Sequence, residues 1–393
     1  MGKGKTTAAI RYMNEAPEDI HFIFCTPLLS EVQRVLEGCQ TRNFCEPILE
    51  SDCHSKLSCI KELLKEARNI ATTHALFDLF DDEARDLIEK NKYILILDET
   101  ISVTKNLNEE CDPDDIEALV KIYAPPNEDG ELVWKKKNYW GCMKDFKLLC
   151  RQNRLYYTDG IMVNLFPIQT FRAFKKVFLL TYLYESSLMR CYFEMFKVEP
   201  KMLYIEGDSH DNFRFTEKVI EYDLSYIPDL ITICDKEKLN SIGDDKYALS
   251  KRWYQKQSDF KQLKDHTYNF FKHIGNTKSE LNLWTTFIEY KFKLKGKGYT
   301  KGFLACNQRG TNEYRGRESV AYLVNRFINP YVKNFFVKKG IWVDEDGFAL
   351  SEMLQFIWRS AIRDGKHINI YVPSARMRGL LVGWLNSLKK EAD

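Results

Sequence analysis

The 393-residue chain sets 58 Lys and Arg against 56 Asp and Glu, so no global field draws it to nucleic acid or membrane; polyanion contacts must come from local patches. Its hydrophobic content of 44%, with 13% aromatics, excludes intrinsic disorder, and its length implies two domains of roughly 150–200 residues. The longest apolar runs, Tyr93–Leu97 and Val177–Leu183, fall far short of the ~20 residues of a membrane helix. Eleven cysteines without a C-x-x-C pair read as reduced thiols, and the polar, basic start offers no signal peptide. A cytoplasmic protein with no membrane partner is expected.

The chain opens on Met1-Gly2-Lys3-Gly4-Lys5-Thr6-Thr7, the back half of G-x-x-x-x-G-K-[ST]. The motif's first glycine and the strand that feeds it would both fall before Met1, so a natural start upstream is expected. In such a loop, backbone N–H groups from Gly2 to Thr7 wrap phosphates. Lys5 reaches the terminal phosphates of ATP, and Thr6 binds Mg²⁺. A helix over Gly4–Asn14 follows, with Ala8 and Ala9 allowing close packing. Ile20–Cys25 reads as a short strand ended by Thr26-Pro27. Ser30–Glu37 reads as a helix, with Ser30 at the N-cap and Gln33 at the capping-box position. Asn69–Thr73 is the next strand. Tyr93–Leu97 is a third, of the kind buried on both faces.

The polar stretch Asn106–Arg154 is too long for a loop and reads as a mainly helical insertion before a strand at Lys176–Thr181. A second domain begins near Met202, giving domains of 1–200 and 201–393. Its expected strands are Phe303–Asn307 and His367–Val372. Its expected helices are Glu318–Phe327 and Ser351–Arg363, with Asp235–Lys301 largely helical and charged.

Ile94-Leu95-Ile96-Leu97-Asp98-Glu99 delivers two carboxylates at the end of an apolar strand. A Mg²⁺-dependent triphosphatase needs this pair: Asp98 for the metal shell and Glu99 to orient and deprotonate water. Between loop and box lie Thr26-Pro27 and Thr72-Thr73-His74, each directly after a strand, where an open α/β sheet places its ligand crevice. This order of motifs resembles the superfamily 2 helicases. Later text agrees: Leu179-Leu180-Thr181-Tyr182 stands where that family couples its domains. Gln355-Phe356-Ile357-Trp358-Arg359-Ser360-Ala361-Ile362-Arg363 looks like its last motif.

More narrowly, Cys306-Asn307-Gln308-Arg309-Gly310-Thr311-Asn312-Glu313-Tyr314, Ala349–Gln355 and Tyr371–Arg378 resemble DEAD/DEAH-type helicases of phages and mobile elements of low-GC Gram-positive bacteria. The resemblance implies two RecA-like P-loop NTPase domains with parallel sheets. It also implies an ATP- and Mg²⁺-dependent helicase or translocase, with DNA favoured over RNA, and partners in replication or mobile-element biology. Arg359 and Arg363, four apart on one helical face, would reach the γ-phosphate as fingers, with Arg359 ahead because the family's spacing is three. Gln355 and Arg309 would contact nucleotide. Thr26, Pro27, Thr73, His74, Thr311 and Asn312 would contact nucleic acid. Hydrolysis in a form that starts inside the loop is expected to be impaired.

Two basic–aromatic stretches add candidates. In Tyr290–Lys301, Lys293 and Lys295 would neutralise phosphates while Tyr290, Phe292 or Tyr299 stack on bases; the alternative is an edge strand guarded by lysines. Lys135-Lys136-Lys137-Asn138-Tyr139-Trp140 is a second such stretch, inside the insertion. Cys39, Cys45, Cys53 and Cys59, with His54, lack the tight pairs of a zinc or iron–sulfur site. Two rival readings share the opening motifs: a DNA-packaging motor ATPase, whose nuclease carboxylates are not seen after Lys301, and a non-catalytic nucleotide-binding remnant.

Overall fold

Apolar runs without alternation fold here into central strands. The computed structural model describes residues 4–49, 54–207, 212–306 and 313–390, and the chain forms two α/β units. One runs to Ile220 and includes Asn329–Val343; the other comprises Glu221–Ile328 and the chain from Asp344 onward.

In the first unit the strands are Phe22–Thr26 (β1), Ile70–Thr73 (β2), Ile94–Asp98 (β3), Thr104–Asn106 (β4), Leu155–Thr158 (β5), Ile161–Leu165 (β6), Lys176–Leu180 (β7), Tyr204–Glu206 (β8) and Arg214–Thr216 (β9). β2-β1-β3-β7 form a wholly parallel sheet, with Phe24 paired to Ala71 on one side and Ile96 on the other. Every residue of β1 and β3 is buried, which explains why neither alternates polar and apolar side chains. The chain leaves β1 toward β2 and leaves β3 toward β7, in opposite directions. The order therefore switches between β1 and β3, and a crevice opens at their C-terminal ends.

The helix Lys5–Glu15 buries Ala8, Ala9 and Met13 in a core shared with Phe22, Phe24, Val32, Val35 and Phe178. The helix Leu29–Gly38 starts one residue before the expected Ser30. Leu28 occupies the N-cap position without a side-chain bond, and Gln33 instead bonds Glu37 at 2.9 Å. The insertion holds the helices Pro113–Ala118 and Lys144–Arg151, and the strands of a three-stranded antiparallel sheet, β4-β6-β5, flank it on both sides in the chain. Against that sheet lies the helix Pro330–Lys338, capped by Asn329 and fastened by Lys338 to the Asp159 carbonyl (3.0 Å) and Lys339 to the Asp129 carbonyl (2.6 Å).

In the second unit, Ile231–Ile233 (β10), Asn282–Thr285 (β11), Ser319–Tyr322 (β12) and Ile368–Tyr371 (β13) form a parallel sheet in the order β10-β13-β12-β11. Three expectations change. Glu318–Phe327 contains the fully buried strand β12 rather than a helix. Of Phe303–Asn307, Phe303 makes an isolated parallel bridge to Trp284, and Asn307 lies outside the described residues. The helix expected over Ser351–Arg363 runs Glu345–Ile357, started by the Asp344 cap, and gives way to a separate 3₁₀ turn, Ala361–Asp364. Asp235–Lys301 is helical in pieces but also supplies β11, whose Trp284 packs with Tyr299 and Phe303 in an aromatic core.

Candidate functional site

The crevice between β1 and β3 faces the start of the helix Lys5–Glu15. Gly4 is its N-cap, with φ +73°, a left-handed conformation open to glycine at no steric cost. A Cβ on Gly4 would stand 2.3 Å from the Phe213 ring, so both the dihedral and the packing select glycine. The helix ladder begins with Ala8 N–H donating to the Gly4 carbonyl at 2.8 Å. The amides before it have no partner within the helix, and the first turn contains no acidic residue. Backbone donors and the positive end of the helix dipole are thus presented without a carboxylate of their own, as an anion requires.

Asp98, only 8% exposed, lies opposite this turn. Thr6 Oγ1 is 3.5 Å from Asp98 Oδ1, and Thr26 Oγ1 is 3.4 Å from Oδ2. Both are long contacts, so the hydroxyls flank the carboxylate without locking it. His74 Nε2 donates to the Asp98 carbonyl at 2.9 Å and fixes the end of β3 from the β2 side. Burial pushes the Asp98 carboxyl up to about 7; Glu99 and Glu31 push the same way, against Lys5 and Arg34. Lys5 and Arg34 oppose these influences without cancelling them.

Glu99 follows with φ +67°, unusual for a residue with a Cβ, and its N–H donates to the Leu180 carbonyl of β7 at 3.1 Å. That bond carries the β3–β7 pairing one residue past Asp98. The backbone twist there sends the half-buried Glu99 off the strand's regular alternation while Asp98 stays buried. Thr7 is engaged by Arg34, whose Nη2 donates to Thr7 Oγ1 at 3.1 Å while Nη1 pairs with Glu31 at 3.2 Å. Sequence reading missed Arg34 and Glu31. Their three-residue spacing on a helix is the usual surface pattern, and only packing brings them to the loop.

Mg²⁺ and a nucleotide triphosphate fit these residues. Carboxylate plus hydroxyl is the hard-oxygen set Mg²⁺ takes, and the ion needs few protein ligands when phosphates and water complete its shell. A buried Asp98 opposite the start of a helix suits a divalent cation paired with a polyanion. Among the described residues, no group of three His, Cys, Asp or Glu side chains is placed to hold a metal by itself. Cys39 and Cys59 are buried core residues, and Cys53 lies outside the described residues.

The other sequence candidates are distributed as follows. Pro27 and Thr73 are half-buried beside Thr26 and His74 at the ends of β1 and β2. In the second unit, Gln355 is half-buried in the last turn of the helix Glu345–Ile357. Arg359 and Arg363 do not share a helical face. Arg359 is buried just past the helix end, and Arg363 is exposed on the 3₁₀ turn, because the helix stops at Trp358. Lys293 and Lys295 are exposed on and after the short helix Lys291–Leu294, which replaces the edge strand weighed for this stretch. Tyr299 is in the core and Tyr290 packs against it, so of the three aromatics only Phe292, 72% exposed, is open to a ligand. Gly2, Arg309, Thr311 and Asn312 lie outside the described residues. At the C-terminal ends of β11 and β12, Thr285 Oγ1 and Tyr322 OH are buried without a partner among the described residues, and Arg326 pairs with Glu352 at 3.2 Å.

No helix of the described residues is long and apolar enough to cross a membrane. Residues 225–385 match the family model described as the YonV C-terminal Rossmann-like domain, in agreement with the parallel sheet of the second unit. A solved structure, S. tokodaii Xpd4, aligns over 98% of this chain and 92% of its own with 12% identity and a TM-score of 0.42, a level that bears on neither fold nor function. The SPbeta prophage-derived uncharacterized protein YonV of Bacillus subtilis (strain 168) is 42% identical over 402 residues, covering 98% of this chain and 97% of that protein. With identity of that extent along nearly its whole length, the chain belongs to the YonV family.

Proposed function

We propose that this protein is a nucleic-acid-dependent ATPase of the superfamily 2 helicase type, an ATP-driven helicase or translocase. The observation that carries the proposal is the meeting of Thr6, at the start of a glycine-capped helix, with the buried Asp98 at the switch point of a parallel sheet. The order of the later sequence motifs adds nucleic-acid dependence to the triphosphatase chemistry, and DNA is favoured over RNA.

In this reading the amides after Gly4 and the Lys5 ammonium bind the phosphates of ATP, and Thr6 and Asp98 hold Mg²⁺. The ion supplies positive charge to the phosphate oxygens. Glu99 orients the attacking water and takes its proton. His74 fixes the Asp98 backbone carbonyl, and the Thr26 hydroxyl flanks its carboxylate. By the motif they resemble, Arg359 takes the finger role and Gln355 a nucleotide-contacting one.

The test is steady-state ATP hydrolysis by the full chain, with and without single-stranded DNA, duplex DNA and RNA. Mg²⁺-dependent turnover that rises with one of these and vanishes in Lys5→Met supports the proposal. Turnover indifferent to every nucleic acid overturns the helicase reading. Binding of ATP without hydrolysis points instead to a nucleotide-binding remnant.

A further inference from the structure

The insertion in the first unit carries a cleft of about 280 Å³ that the nucleotide chemistry does not use. Trp134, Lys135, Lys136 and Lys137 line one side, and Arg151, at the end of the helix Lys144–Arg151, lines the other. Between residues 134 and 151 the sequence places six cationic side chains against one acid, Asp145. Lys135, Lys137 and Arg151 form no ion pair with any described residue. The one acid of the cleft wall, Glu131, is engaged by Asn153 and Asn127. A solvated surface normally intersperses charges of both signs, and here the cations are left unanswered.

Their positions are fixed rather than loose. Lys135 N–H donates to the Tyr123 carbonyl at 2.9 Å, Trp134 Nε1 to the Lys136 carbonyl at 2.6 Å, and Lys147 Nζ to the Lys137 carbonyl at 3.2 Å. Trp134 stacks on Tyr123 with ring centroids 5.7 Å apart, and Tyr139 closes edge-on against both at 5.2 Å. Lys136 Nζ sits 4.5 Å above the Tyr123 ring. The next residue in the chain, Trp140, is 97% exposed. A large aromatic ring held almost wholly in water three residues along the chain from a lysine row is a poor choice for folding stability, and a good one for stacking on a base.

Building on the nucleic-acid-dependent reading above, we propose that this cleft binds single-stranded nucleic acid: Lys135–Lys137 and Arg151 neutralise consecutive phosphates, and Trp140 stacks on an unpaired base. Lysines alone would suit any polyanion, including an acidic peptide. The exposed tryptophan favours a ligand with open π-faces. Duplex DNA offers its bases only at grooves and ends, so single strands are preferred.

The experiment is fluorescence anisotropy of the full chain with labelled oligothymidylate, without ATP, across a salt series. It compares wild type, the triple variant Lys135→Ala/Lys136→Ala/Lys137→Ala, and Trp140→Ala. The triple variant is expected to bind at least tenfold more weakly, with the slope of log K against log salt reduced by about 2, from about 0.7 per lost phosphate contact. Trp140→Ala is expected to bind about fivefold or more weakly with its slope unchanged. Wild-type affinity in both variants, or equal competition by polyglutamate, overturns the proposal. Basal ATPase and Lys5→Met binding separate the two readings. Oligonucleotide binding that survives Lys5→Met and fails in the triple variant supports the cleft even if no hydrolysis is found. Undiminished stimulation of hydrolysis in the triple variant removes the cleft while leaving the ATPase intact.

Discussion

The Thr26 hydroxyl stands 3.4 Å from Asp98 Oδ2, joining the C-terminal ends of two adjacent parallel strands at the point where the sheet changes direction. Both residues are buried, so the hydroxyl is the donor water would otherwise supply. Thr26→Val keeps the shape and removes that donor. The expected outcome is a loss of about 0.5–1.5 kcal/mol in urea denaturation, with reduced ATP turnover. A variant as stable and as active as wild type would show that Asp98 is held by its other neighbours.

Binding and chemistry separate between Lys5 and Glu99. Lys5→Met removes the cation nearest the helix start and should abolish binding of a fluorescent ATP analogue. Glu99→Gln keeps the size of a half-buried side chain and removes the base. It should bind the analogue within about threefold of wild type and lose about 10²–10⁴-fold in turnover. Equal loss of binding in both variants would place Glu99 in phosphate or metal binding instead.

Much of this site is legible in the sequence because its parts depend on local rules. Ile94–Asp98 is an unbroken apolar run ending in acid, and a strand buried on both faces needs no more. Gly4-Lys5-Thr6 marks the helix start. The misreadings occur where local pattern is ambiguous. Ser319–Tyr322 is buried throughout, so it has no period of two and cannot be told from one side of a helix. Arg359 and Arg363 lie in a stretch with no Gly or Pro before Gly365, and nothing local announces that the helix ends at Ile357. Arg34 reaches Thr7 only through packing of one helix on another, which no spacing in the sequence records.

Asp98 is expected to make the metal-free protein sensitive to pH. Its folded-state pKa is raised from 3.8 to about 7, mainly by burial and then by Glu99 and Glu31. The folded form thus holds a proton that the unfolded form has released between about pH 4 and 7, and the associated stability is present at low pH and lost as pH rises through 7. Urea midpoints without Mg²⁺ and nucleotide should therefore fall between pH 5 and 8, and Asp98→Asn should flatten this trend. Mg²⁺ with ATP should reduce the fall, because the ligand favours the ionised carboxylate. A trend unaltered by Asp98→Asn assigns the titration to another group.

The two arginines predict unequal effects. Arg359 is buried at the helix end, whereas Arg363 is exposed on the following turn. Arg359→Lys keeps the charge but loses the planar fork, and should lower turnover by about 10²-fold or more with ATP affinity little changed. Arg363→Ala should remain within about threefold of wild type, as surface substitutions usually do. Thermal melting checks that Arg359→Lys folds. The reverse ranking would move the finger role to the exposed turn.

Gly4 is where dihedral and packing make separable demands. Gly4→Ala would impose a left-handed conformation on an L-residue, costing about 1–2 kcal/mol, and would drive its Cβ into the Phe213 ring. Phe213→Ala relieves only the second of these. The single variant should weaken ATP binding at least tenfold by shifting the first amides of the helix. The double variant Gly4→Ala/Phe213→Ala should recover part of that loss and no more, since the backbone still resists φ +73°. Full recovery in calorimetric titrations would mean that Phe213, not the glycine dihedral, sets the position of the loop. No recovery would mean that the dihedral alone does.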